Sequence, residues 1–422
     1  QTQSPRPAWM VRLGLFLYDH LGGREKLPGT RTVALEKSAL GAGLSPRKGK
    51  AFVYSDCWVE DSRLVVLNAM DARERGARIE TRTRLIEAKR DGEGWTATIE
   101  ADGQGRTVQA RVLVNAAGPW VADVIGRTHG ARRDRGVRLI KGSHIVVPRL
   151  YEGDHAFMLQ NDDRRIVFAI PYEGEFTLVG TTDEPWTDAP AKASISAAET
   201  SYLLDTANRY FAGKVGEADI VWSYAGIRPL YDDHSANTSA VTRDYVLALD
   251  TGAEGEAQAP MLNIFGGKIT TARHLAEEAL GKLSGPMGFT AHPVTRARVF
   301  PGGAIPDFPQ FLTQVRARWP FLGDAQSERM AHAYGARLAE MLDGIDSAAA
   351  LGADLGGGLT EVEARWLHDR EWARSTDDVL LRRTKLGLHL SEAERAQVER
   401  WWTATFPTAG GNDVDHGRVT AA

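Results

Sequence analysis

Cysteine is almost missing from the 422 residues: Cys57 stands alone, which excludes an internal disulfide and fits a reducing compartment. No run of about 18 apolar residues occurs, so no membrane-crossing helix is expected. The opening Gln1-Thr2-Gln3-Ser4-Pro5 has neither a basic region nor an apolar one, so no secretory leader is read there. A cytoplasmic protein follows, one able to rest on a membrane surface. Neither charge dominates, since 51 Lys and Arg against 55 Asp and Glu leave −4, and a nucleic-acid partner is not expected. His-Glu-x-x-His, paired Cys-x-x-Cys and Gly-x-Ser-x-Gly are all lacking, which leaves metal and acyl-transfer chemistry without support. Also lacking is a Gly-x-Gly-x-x-Gly turn after a strand. Gly41-Ala42-Gly43 begins that pattern, but Pro46 takes the third glycine's place and no strand precedes it.

What remains is ordinary globular material, 43% apolar and 25% charged, in a length that suits two or three domains. Ala8 to Leu21 reads as a helix with Trp9, Met10, Leu13, Phe16 and Leu17 on one side, either a core helix or an interfacial one. Asp61 starts a second helix that Gly76 stops. Ile79–Thr83, Leu85–Ala88, Trp95–Ile99 and Thr107–Arg111 then alternate like short strands with glycine turns between the later ones. Val112-Leu113-Val114 is an unbroken apolar run, as in a buried parallel strand, and the sequence predicts a new helix near Trp120. This order is that of a doubly wound α/β domain carrying an antiparallel meander. Residues 138–249 are mainly β with one helix, Ser194 to Phe211, and read as a mixed-sheet domain. Beyond Gly303 the pattern is helical, with Thr360-x-x-Glu363 and Ser391-x-x-Glu394 as capping boxes.

Three constellations carry chemistry. Met261–Phe265 runs as a strand into Gly266-Gly267-Lys268, and a helix begins near Thr270; bare backbone and a positive helix end then meet at one point, which suits an anionic or electron-accepting group. The alternative there is an ordinary tight turn. Asn115-Ala116-Ala117-Gly118-Pro119-Trp120 ends a buried strand, where small residues admit either a ligand or a closely packed helix. Gly226-Ile227-Arg228 and Arg243 place two guanidiniums near strand ends, as a phosphate clamp or as two surface ion pairs. His144, in Lys141-Gly142-Ser143-His144, is a proton acceptor with an ordinary pKa near working pH, or a structural histidine.

Longer segments go further. Pro7-Ala-Trp-Met10, Tyr54-Ser-Asp-Cys-Trp-Val-Glu-Asp-Ser-Arg-Leu64, Arg138-Leu-Ile-Lys-Gly-Ser-His-Ile-Val-Val-Pro148, Gly180-Thr-Thr-Asp183, Gly226-Ile-Arg-Pro229, Thr242-Arg-Asp-Tyr245, Phe265-Gly-Gly-Lys-Ile-Thr-Thr271 and Leu381-Arg-Arg-Thr-Lys385 resemble, in order, the bacterial FAD-dependent, aerobic glycerol-3-phosphate dehydrogenases. The resemblance covers nearly the whole chain. It departs at the start: that family opens with a βαβ unit of at least roughly 30 residues, and six residues precede Pro7 here.

The fold so implied is α/β (α+β). It has an FAD/NAD(P)-binding doubly wound domain, N-terminally incomplete, in 1–137 and 261–295, a mixed-sheet substrate domain in 138–260, an all-helical C-terminal domain in 296–406 and a flexible tail in 407–422. The resemblance implies that Arg228, Arg243 and Lys268 contact glycerol 3-phosphate, with His144 in the same pocket. It places Asn115, Ala116, Gly118, Trp120, Gly226, Gly266, Gly267, Lys268 and Thr270 along FAD. Electrons would pass to ubiquinone or menaquinone, from a homodimer held peripherally on the inner face of the cytoplasmic membrane. Oxygen as acceptor, or a folded remnant that does not retain FAD, stand as alternatives.

Overall fold

The computed structural model describes residues 7–21, 27–92, 94–232, 244–252 and 258–407. Helix α1 (Ala8–Leu21) occupies the expected span. Its apolar side faces outward, with Trp9 66%, Leu13 51% and Phe16 50% exposed. A small hairpin, β1 (Arg31–Ala34) and β2 (Lys50–Val53), leads to α2 (Asp61–Glu74). The meander is β3 (Thr83–Asp91), β4 (Gly94–Ala101) and β5 (Gln104–Ala110). Two strands were expected where β3 runs as one: a bulge between Leu85 and Glu87 shifts the alternation, while a turn with Arg82 at φ 53° keeps 79–82 out of the sheet.

Next come β6 (Leu113–Asn115), α3 (Val121–Gly126), β7 (Thr128–His129) and the long β8 (Val137–Pro148). Strands β9 (Phe157–Gln160), β10 (Ile166–Tyr172), β11 (Phe176–Gly180) and β12 (Glu184–Pro185) precede α4 (Ala197–Tyr210) and β13 (Trp222–Tyr231). Strand β8 is the spine of a six-stranded sheet, pairing with β11, β12 and β13. A mixed sheet was expected in this region; among the described residues its pairings are all antiparallel, with α4 laid over it. Along β8, Ile145 and Val147 pack beneath α4 with Leu203, Ala207 and Phe211, so Gly142, His144 and Val146 face the other way.

Strands β14 (Val246–Asp250) and β15 (Met261–Phe265) form a second sheet with β6, in which β15 and β6 run parallel. Helix α5 (Ala272–Met287) covers it through Leu262, Ala279 and Leu283. The C-terminal region is mainly rather than all helical: α6 (Phe308–Arg318), α7 (Asp324–Tyr334), α8 (Leu338–Met341), α9 (Glu361–Glu371) and α10 (Glu392–Thr405), with a short antiparallel strand pair at Asp354–Gly356 and Leu359–Thr360, surround Leu338, Leu355, Leu359, Leu367 and Val398. Val66 and Met70 of α2 join that core.

The two expected capping boxes part company. Ser391 and Glu394 form theirs at α10. At α9, Thr360 makes no side-chain cap, because Glu363 is taken by Arg329 (2.6 and 2.7 Å) and by the Tyr334 hydroxyl at 2.6 Å. Three donors on a fully buried carboxylate outcompete one backbone amide. Glu363→Ala should therefore cost about 3–5 kcal/mol by leaving a cation without its counter-ion. Urea unfolding followed by tryptophan fluorescence measures it, and an unchanged midpoint would refute the account.

Candidate active site

The register of β8 with β13 sets Gly142 opposite Gly226, His144 opposite Tyr224 and Ile140 opposite Arg228. Directly paired residues share a face, so His144, Tyr224 and Arg228 project together from the side that α4 leaves uncovered. Glycines make this possible. A Cβ on Gly142 would lie 2.1 Å from Arg228 Nη2 and 2.5 Å from Thr181 Oγ1, and one on Gly180 would lie 2.2 Å from His144 Cδ2. The guanidinium and the imidazole occupy the volumes those side chains would fill.

Arg228 has acceptors on two of its nitrogens. Nη1 is ion-paired with Asp183, while Nη2 donates to Thr181 Oγ1 at 2.9 Å and to the Thr182 carbonyl at 3.0 Å. The side chain is still 41% exposed, so a ligand can reach it. The His144 ring stacks on Tyr224, with centroids 4.9 Å apart and planes 11° apart. Its Nδ1 is buried and has no hydrogen-bond partner among the described residues. Burial, then the nearby Arg228 charge, push the imidazole from its ordinary 6.5 down to about 4, with Asp61 opposing weakly. At neutral pH His144 is an uncharged base with one nitrogen unoccupied.

The bend after β15 closes on the same place. Gly266 and Gly267 have φ of 72° and 108°, values that glycine alone adopts readily. A Cβ on Gly266 would lie 3.1 Å from the Asp244 carbonyl and 3.6 Å from the Pro229 carbonyl, so the bend packs on β13 immediately after Arg228. The exposed Lys268 precedes a short 3-10 turn, Ile269–Thr271, that contains the exposed Thr270 and opens into α5. Arg243 lies outside the described residues.

At the carboxyl end of β6, Asn115 is buried, and its Nδ2 donates to the Val121 carbonyl (3.0 Å) and to Asn263 Oδ1 (2.9 Å). Its side chain thereby bolts β6 to β15, which leaves the neighbouring backbone to meet a ligand. Ala116 is exposed, Gly118 has φ 54° with open space where a Cβ would stand, and Trp120 is 44% exposed. The turn Gly118–Trp120 sits against β13, where Gly226 is also exposed with nothing near its missing Cβ. Bare backbone at Gly118, Gly226 and Gly267, beside the first turn of α5, suits a large planar cofactor with polar edges. Among the described residues no group of His, Cys, Asp and Glu is arranged to hold a metal ion.

Of the residues singled out from sequence, His144, Gly226 and Arg228 share one face of β8 and β13, and the Gly266–Gly267 bend and the Gly118–Trp120 turn adjoin β13; others join them. Thr181, Thr182 and Asp183 hold Arg228, and Tyr224 carries His144. Their sequence signal was indirect, glycines at 142 and 180 inside strand patterns, which mark close approach.

The family model for FAD dependent oxidoreductases matches residues 2–273. Glycerol-3-phosphate dehydrogenase of Pseudomonas aeruginosa is 47% identical over 95% of this chain and 78% of its own length. D-erythritol 1-phosphate dehydrogenase of Brucella abortus is 46% identical over 95% of this chain and 80% of its own. Among solved structures, glycerol-3-phosphate dehydrogenase from Bacillus halodurans complexed with FAD superposes with a TM-score of 0.70 at 24% identity, covering 85% of this chain and 71% of that one. The chain belongs to the FAD-dependent oxidoreductase family, as the resemblance of its motifs implied.

A histidine whose folded pKa lies below its unfolded one binds fewer protons when folded. Stability should therefore fall as pH drops from 6.5 through about 4, by roughly 3 kcal/mol in full. His144→Phe, which keeps the stack on Tyr224, should flatten that part of the profile. Parallel stability–pH curves for the two proteins would contradict the assignment.

Proposed function

We propose that this chain oxidises sn-glycerol 3-phosphate to dihydroxyacetone phosphate. The observation that carries the reading is the shared face of Arg228 and His144 against the Gly266–Gly267 bend. Arg228 takes the phosphate through charge-assisted hydrogen bonds, and its planar fork sets the ester's direction. Arg243, by the motif it sits in, is the second arm of the clamp. His144 accepts the C2 hydroxyl proton at an imidazole nitrogen, which its neutral state at working pH permits. Lys268 and the first turn of α5 add positive potential where negative charge develops. FAD, when bound, supplies the acceptor for the two electrons and the hydrogen that leave C2. Asn115, Ala116, Gly118, Trp120, Gly226, Gly266, Gly267, Lys268 and Thr270 would hold it.

The onward acceptor in this reading is a membrane quinone, ubiquinone or menaquinone, reached by a homodimer attached peripherally to the inner face of the cytoplasmic membrane. Support for attachment is the outward apolar face of α1. No helix among the described residues is long and apolar enough to cross a bilayer. Anionic liposomes should carry the protein upward in a flotation gradient, and a Leu13→Glu, Phe16→Glu variant should stay behind; equal behaviour of the two would remove α1 from the reading.

The near-equal identity to a D-erythritol 1-phosphate dehydrogenase supports a second reading, in which a longer phosphorylated polyol is preferred. Both share the phosphate clamp and the secondary alcohol. Glycerol 3-phosphate should bleach the visible absorbance of the FAD-loaded protein, faster than D-erythritol 1-phosphate does, without stoichiometric peroxide. Arg228→Ala should lower kcat/KM by about 3–4 kcal/mol, a few hundredfold. Bleaching by neither substrate, or a loss for Arg228→Ala within about 0.5 kcal/mol, would overturn the proposal.

A further inference from the structure

Behind the face that carries Arg228 lies a second polar cluster, largely buried. Glu199 of α4 is 3% exposed, Lys141 6%, and Ser143 and Thr182 are fully buried. Glu199 Oε1 accepts from Ser143 Oγ (2.8 Å) and Thr182 Oγ1 (2.7 Å). Oε2 accepts from the Ser196 amide (2.8 Å), Ser196 Oγ (2.9 Å) and Lys141 Nζ (2.8 Å). Burial alone would raise this carboxyl, yet the surrounding donors hold it at about 2, so it stays ionised.

A buried ion pair is weak evidence for stability, since desolvation offsets much of its attraction. Its value here lies in what it fixes. Thr182 Oγ1 donates to Glu199 and accepts from the Ser143 amide at 2.9 Å, so the residue is pinned from both sides on the α4 face. Its carbonyl emerges on the opposite face and accepts from Arg228 Nη2, next to Thr181 Oγ1, which donates to that same carbonyl at 3.1 Å. One short segment, Thr181–Asp183, thus reads α4 with one side chain and cradles the guanidinium with the rest.

We propose that Thr182, anchored by Glu199, is a positioning residue for the phosphate site: it fixes the plane in which Arg228 presents its donors. This rests on the reading of Arg228 as the phosphate clamp. Neither residue touches substrate; both act through the orientation of another side chain.

The test uses the FAD-loaded full chain, with inorganic phosphate as a competitive inhibitor and glycerol 3-phosphate as substrate. Thr182→Val removes the hydroxyl at nearly constant volume, and Thr182→Ala does so without overpacking should the first not fold. Either should raise the phosphate inhibition constant and the KM about tenfold, the loss of one well-directed charge-assisted bond. The kcat should change by less than about twofold. Thr182→Ser should restore both constants. Ser143→Ala, which loosens the same carboxylate without touching the Thr182 link, should leave them unchanged. Inhibition constants within twofold of the parent in both hydroxyl-less variants, no rescue by serine, or an equal rise in Ser143→Ala would each overturn the positioning role. A parent protein that neither oxidises glycerol 3-phosphate nor binds phosphate would instead remove the functional reading, and this proposal with it.

Discussion

Two absent β-carbons decide the geometry of the site. Strand β8 runs between β11 and β13, and on its open face Gly142 and Gly180 leave room that Arg228 and His144 fill. With any larger residue at 142 the guanidinium has to leave the sheet surface; at 180 the imidazole loses its stack on Tyr224. The volumes are set by backbone, which is stiff, rather than by side chains, which are not. A cation and a neutral base are thereby kept side by side without a bulky residue between them, and the cation acts on the base. The guanidinium charge, after burial, is one cause of the low His144 pKa, which keeps the imidazole unprotonated at neutral pH while making it a weaker base than a free histidine.

The sheet also separates two electrostatic regimes. On the α4 side the charges are buried and mutually satisfied, Lys141 against Glu199 with three hydroxyls around the carboxylate. On the other side Arg228 remains partly solvated and His144 keeps a buried nitrogen with no hydrogen-bond partner among the described residues. Fully satisfied networks rigidify, whereas unsatisfied groups at an accessible surface are where a ligand gains most. The same strand residues, alternating in and out of the plane, build both.

How much of this was legible in sequence follows from the range of each interaction. Local signals carried well: α1, the Ser391 capping box and the strand–Gly-Gly–helix passage at 261–272 depend on residues a few positions apart. The Thr360 box failed because its competitor, Arg329, stands 34 residues from Glu363, beyond any local pattern. The outward face of α1 was undecidable from its periodicity, which is the same for a core helix and an interfacial one. Asp183 lies in the Gly180–Asp183 segment that carries the resemblance, yet its role needs the register of β8 with β13 and the return of the chain after β11, which spacing does not encode. Asn115 shows the reverse. Its position at the strand end was legible, but not that its amide bolts β6 to β15 and leaves only the backbone beside it to meet a ligand.

The ion pair of Arg228 with Asp183 gives the pocket a threshold. A ligand anion must offer the guanidinium more than the carboxylate already does. A singly charged group of similar geometry exchanges one such bond for another and gains little once its own desolvation is counted. A phosphate dianion brings a second charge and a third oxygen, and so gains where a carboxylic acid metabolite does not. Thr181 and Thr182 accept from Nη2 and so fix the plane of the guanidinium. On the proposed reading of Arg228 as the phosphate clamp, selection for a phosphate ester over a free hydroxy acid would arise from a counter-ion that the arginine already holds.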